Sequence, residues 1–125
     1  MRTRKVVFSL GLVLALSPVL LRGQTPEVKD GVTIIHLDQH AGYFASKETL
    51  GGLKAGTYEF VVANKSGRSV GFQVQDLKTR KNIAQQGLAA GETKTVRVKI
   101  TADGFRFRCP VNPTPWYELD TVAGE

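Results

Sequence analysis

The sequence predicts an all-β fold, a small two-sheet sandwich of about seven strands. Apolar and polar residues alternate at the period of a strand in several short runs. Gly, Asn and Asp divide those runs, and hardly any stretch reads as helix. An extended chain sends successive side chains to opposite faces, so a period of two marks a surface with one buried side.

Residues 1–23 stand apart as an export signal. Arg2, Arg4 and Lys5 precede an apolar stretch over 6–21 that Ser9, Gly11, Ser17 and Pro18 interrupt, and Gly23 offers a small residue for cleavage. The stretch is short against the roughly 20 apolar residues of a membrane span, and Pro18 would interrupt a helix near its end. Cleavage after Gly23 is expected, with retention as an anchor the alternative, and no cysteine near the boundary provides for a lipid. Cleavage leaves no stable membrane span and a periplasmic or secreted chain. It also removes four of the 17 basic residues and none of the 11 acidic ones, leaving a net charge of +2. That interspersed pattern gives no electrostatic case for nucleic acid.

About a hundred residues remain, enough for one domain with one core. Residues 24–31, with Pro26 and Gly31, read as a short flexible arm, and the domain is expected over 32–125. Its first strand-like run is 32–37. Residues 42–50 are less regular, and turns at Gly51-Gly52 and Lys54-Ala55-Gly56 flank Leu53. The run 57–63 sets Tyr58, Phe60 and Val62 on one face, and Asn64-Lys65-Ser66-Gly67 forms a turn. Residues 70–77 make a further strand with Phe72 and Val74 in register. Between 78 and 90 the pattern weakens, and 83–88 fits either a helical turn or a loop. Residues 92–101 alternate most clearly, with Val96, Val98 and Ile100 inward and Thr95, Arg97 and Lys99 outward. Ala102-Asp103-Gly104 then turns the chain into a strand, and 116–122 closes the fold.

The penultimate strand carries the only cysteine. Phe105, Phe107 and Cys109 share one face and Arg106 and Arg108 the other, so the thiol starts on the buried side. Pro110, Pro113 and Pro115 follow, fixing backbone angles and removing donors, which makes a stiff loop before Trp116 and Tyr117. One cysteine makes no internal disulfide. Burial, metal ligation or a bridge to a cysteine of another envelope protein would each let it survive export.

The segments LKAGTYEFVVANKSG, VGFQV, LAAGETKTVRVKI and DGFRFRCPVNPTPWYEL, which span nearly the whole mature chain, resemble the cupredoxin-like family. The resemblance implies an exported Greek-key sandwich. It also implies a copper site built from a histidine after the Asn-containing turn, a thiolate at the end of the Gly-aromatic-x-aromatic-x-Cys strand, and a second histidine and often a methionine soon after. Two imidazoles, a thiolate and a weak axial ligand suit copper in both oxidation states. Here Lys65 to Gly71 contain no histidine, Asn112, Pro113 and Trp116 offer none after Cys109, and no methionine lies beyond Met1. A guanidinium such as Arg68 and an indole such as Trp116 have no lone pair to donate.

His36 and His40 are the two imidazoles of the chain. A spacing of four on a strand separates them by about 13 Å, though a turn at His40-Ala41-Gly42 could fold them closer. As metal ligands they would have to converge on Cys109, in an unusual arrangement. The simpler reading of Cys109 is a small buried hydrophobe beside Phe105 and Phe107. Trp116 and Tyr117 read either as parts of a stiff corner or as aromatic contacts on a pre-ordered loop. Tyr43 and Phe44 read either as an aromatic patch or as plugs of the sandwich core, and Lys78, Arg80 and Lys81 form a solvated basic cluster with a weak reach toward lipid headgroups or an acidic partner. No nucleophile triad, carboxylate pair, phosphate loop or zinc spacing occurs, so the sequence argues against an enzyme. The expected function is a binding or structural module without cofactor, its partner an envelope protein or small molecule. The alternative is a copper carrier or electron-transfer protein using Cys109 with His36 or His40.

Overall fold

A computed structural model describes residues 24–111 and 113–121, in which every regular element is a strand. The strands are β1 (Glu27–Lys29), β2 (Val32–His40), β3 (Tyr43–Ser46), β4 (Gly56–Asn64), β5 (Val70–Asp76), β6 (Asn82–Leu88), β7 (Thr93–Ile100), β8 (Phe105–Arg108) and β9 (Tyr117–Leu119). One sheet runs β1-β2-β4-β7, with β3 also on β2, and the other runs β6-β5-β8-β9. The expected signal over 1–23 lies outside the described residues.

In the first sheet β2 and β4 are parallel, Val32 to Gln39 facing Thr57 to Asn64. A parallel pair needs a long connection, and residues 41–55 supply it. The free edge of β2 is shared end to end: β1 covers Val32 to Ile34 and β3 covers Leu37 to His40. Every other pairing between named strands is antiparallel.

The inward faces follow the expected alternation. Ile35, Leu37 and Gln39 of β2 are buried, as are Tyr58, Phe60 and Val62 of β4 and Val96, Val98 and Ile100 of β7. Facing them from the second sheet are Phe72 and Val74 of β5 and Phe105 and Phe107 of β8. Phe60 lies 5.4 Å from Phe72 and 5.6 Å from Phe105 between ring centroids, tilted against both. Phe44 meets Phe107 edge-on at 5.3 Å. Such pairs contribute about 0.5–1.5 kcal/mol each beyond the area they bury.

Among the described residues the sandwich has nine strands where about seven were expected, and the additions are the irregular segments. Over 24–31 a short strand appears although all three of its side chains are exposed, because the backbone of β2 offers it an edge. Residues 42–50 hold β3, fixed by the inward Phe44. Residues 82–88 form β6, neither helical turn nor loop. Their alternation is blurred by a register shift between Val74 and Gln75 of the neighbouring strand, and a bulge of this kind breaks the period of two. The first run extends to His40, and the last strand covers Tyr117–Leu119, with position 122 of the expected run outside the described residues.

Candidate functional site

Cys109 sits at one end of the sandwich, just past β8, and is 1 % exposed. Its Sγ accepts the Gly71 N–H of β5 at 3.5 Å, and its own N–H donates to Thr114 Oγ1 at 3.3 Å. The Thr114 hydroxyl donates in turn to the Pro115 carbonyl at 2.9 Å, so the proline loop is tied back on itself beneath the thiol. Glycine at 71 is what lets that loop close down: a Cβ there would lie 3.2 Å from Pro110 Cδ and 3.3 Å from Val111 Cγ2.

The neighbouring polar groups come from β2 and β4. Gln39 is 1 % exposed and donates from Nε2 to the Gly71 carbonyl at 3.0 Å, while its Oε1 is buried with no partner among the described residues. Asn64 is 2 % exposed and organises the turn that follows it. Its Nδ2 donates to the carbonyls of Arg68 (2.7 Å), Ala89 (2.9 Å) and Leu88 (3.3 Å), and its Oδ1 accepts the Ser66 N–H (3.0 Å) and hydroxyl (2.7 Å). One side chain thus joins the β4–β5 crossing to the β6–β7 crossing. The residue before Gly71 is Val70, an apolar group that is 4 % exposed.

The two imidazoles lie elsewhere. His36 and His40 alternate with the buried Ile35, Leu37 and Gln39, and so project from the outward face of β2, with the sheet between them and the core that holds Cys109. His36 is held by Glu48: one carboxylate oxygen accepts the His36 backbone N–H at 2.7 Å, and the other meets Nδ1 at 2.6 Å. The Glu48 side chain is 6 % exposed, that of His36 40 %. His40 stacks on Tyr43, ring centroids 4.8 Å apart. Among the described residues no group of three or more His, Cys, Asp or Glu side chains is arranged to hold a metal.

Trp116 packs on the outward face of β8 and Tyr117 on the core side. The Trp116 ring has the guanidinium carbons of Arg106 and Arg108 at 3.8 and 4.3 Å from its centroid. Tyr117 stacks on Phe107 at 5.0 Å, and its hydroxyl oxygen accepts the Phe44 N–H at 3.0 Å. Both rings therefore fasten the proline loop to strands on either side. Arg108, next to the thiol in sequence, points to the opposite face of its strand. At the other end of β2 and β4 a cavity of about 440 Å³ is lined by Thr25, Pro26, Val28, Thr33, Leu53 and Tyr58 among others, and the Tyr58 hydroxyl donates to the Lys54 carbonyl there.

Sequence reading missed Glu48, Gln39 and the partners of the two arginines. A glutamate or glutamine in a polar stretch carries no mark of burial, and the neighbours that bury it come from other strands. No family model matches the chain, and no curated protein matches it either.

Proposed function

We propose that the chain is an exported cupredoxin-like protein of Greek-key connectivity that lacks a complete type 1 copper site and serves as a binding or structural module in the cell envelope. The order of strands in the two sheets supports the connectivity, since the chain passes between sheets at 64–70, 88–93 and 100–105 and the thiol strand lies beside the strand that follows the Asn64 turn. The observation that carries the functional reading is the surroundings of the sulfur. The Gly71 N–H reaches the sulfur, His36 and His40 lie on the outward face of β2, and among the described residues no His, Cys, Asp and Glu group is arranged to hold a metal, which supports a site without the imidazoles that the family resemblance implies.

The alternative with Cys109 and a histidine needs protein ligands converging to about 4 Å, given metal–ligand bonds near 2.0–2.3 Å. His36 is committed to Glu48 and His40 to Tyr43, both on the outward face, so nothing favours it. No catalytic step belongs to this reading. Adding copper(II) to the purified protein is expected to give no intense thiolate-to-copper absorption, and one tightly bound copper with that band would overturn the proposal.

A further inference from the structure

The outward face of β6-β5-β8 carries a chain of planar polar groups whose polarity is fixed from one end. Arg106 donates from Nε (2.9 Å) and Nη2 (2.8 Å) to Gln75 Oε1, and Arg108 donates from Nε to Gln73 Oε1 at 3.1 Å. A guanidinium has no acceptor, so both glutamines must turn their oxygens toward the arginines and their NH₂ groups away. Those NH₂ groups both donate to Asn82 Oδ1, at 2.9 and 2.8 Å. Asn82 is thereby left to donate from Nδ2, which it does to Gln85 Oε1 at 3.3 Å. Every amide oxygen of the chain is consumed within it, and what remains for an outside partner is N–H.

The surplus centres on Arg108. Its Nε is tied to Gln73 and its plane rests near Trp116, while among the described residues nothing accepts from its Nη groups. Arg106 differs: its side chain is 11 % exposed and it has Glu118 at 3.5 Å, at the β9 edge. A guanidinium oriented by a neighbour and an aromatic ring, with Nη donors that no described residue engages, is pre-set for bidentate recognition of a carboxylate.

We propose that this face binds a carboxylated polysaccharide, with Arg108 as its main carboxylate contact and the NH₂ groups of Asn82 and Gln85 reaching hydroxyl or ring oxygens. The surface favours such a polymer over an acidic protein because it has no free apolar anchor of the kind that dominates protein interfaces. Its one aromatic is already engaged by the arginines, and the exposed Val28, Tyr43 and Val111 stand on other segments. Two arginines are too few for a nucleic-acid backbone. The inference does not depend on the thiol: copper binding at Cys109 would overturn the function proposed above and leave this one standing.

The test is binding of the full chain, produced in an export-competent host, to immobilised polygalacturonate, with dextran, poly-glutamate and phosphatidylglycerol vesicles as comparisons. Binding to polygalacturonate and not dextran is expected, weakened by salt and reduced about tenfold by Arg108→Gln, the loss of one charge-assisted contact. Gln85→Glu, an exposed change that puts an anion into the donor surface, should weaken it as well and keeps the test decisive if Arg108→Gln fails to fold. Arg97→Gln, on the outward face of the other sheet, should leave binding unchanged. Absence of binding, an equal loss with Arg97→Gln, or tighter binding to poly-glutamate or to vesicles would overturn the proposal.

Discussion

Asp76 ends β5 and accepts four hydrogen bonds through one carboxylate: Oδ2 takes the N–H groups of Thr79 (2.9 Å) and Lys78 (3.2 Å) and the Thr79 hydroxyl (3.1 Å), and Oδ1 takes the Thr101 hydroxyl (2.9 Å). The Thr79 N–H is the largest influence on its pKa, and with the other donors it outweighs partial burial and holds the carboxyl below its ordinary value. Bonds to the charged form have that effect. Because the folded-state value is the lower one, the stabilisation is complete above the unfolded-state pKa of about 3.9 and is lost as pH falls through the folded value. Asp76→Asn should therefore cost about 2–3 kcal/mol at pH 7, with the gap to wild type narrowing below about pH 4. Urea unfolding at a series of pH values measures it, and a gap constant down to pH 2 would contradict the assignment. Nothing local in the sequence marks this Asp, since its donors include Thr101, 25 positions away.

The crossing turns are where single side chains hold elements together. Asn64 donates to three carbonyls from two separate crossings, a role that an amide fills and a carboxylate opposes. Asn64→Asp should destabilise by about 3 kcal/mol or more at neutral pH, because a buried anion would face carbonyl oxygens. Thermal unfolding should show it at least as damaging as Asn64→Ala, and an Asp variant of wild-type stability would show that the turn is held by its backbone alone. Elements with an intact alternation, such as β4 and β7, were legible in the sequence to within a residue or so. The short β1 and the bulge-paired β6 were not, because an edge strand needs only a neighbour's backbone and leaves little hydrophobic pattern behind.

For the whole molecule, the rings of both sheets meet in one core, and Cys109 closes its end. A thiol that is 1 % exposed reacts only when that core opens. In increasing denaturant, Cys109 labelling and Trp116 fluorescence should change at the same midpoint, as a single cooperative unit requires. Labelling at lower denaturant would mean that the corner opens separately. By itself, the sequence determined the all-β class, the main turns, the inward faces of β4, β5, β7 and β8, and the buried side for the thiol. Those follow from strand geometry and the positions of glycine and asparagine, which act over a few residues. Only the tertiary structure decided that Glu48 would hold His36, that Gly71 would meet the sulfur and that Gln73 and Gln75 would link two arginines to Asn82. Each of these depends on register between strands distant in sequence, and no local preference encodes which residue arrives opposite which.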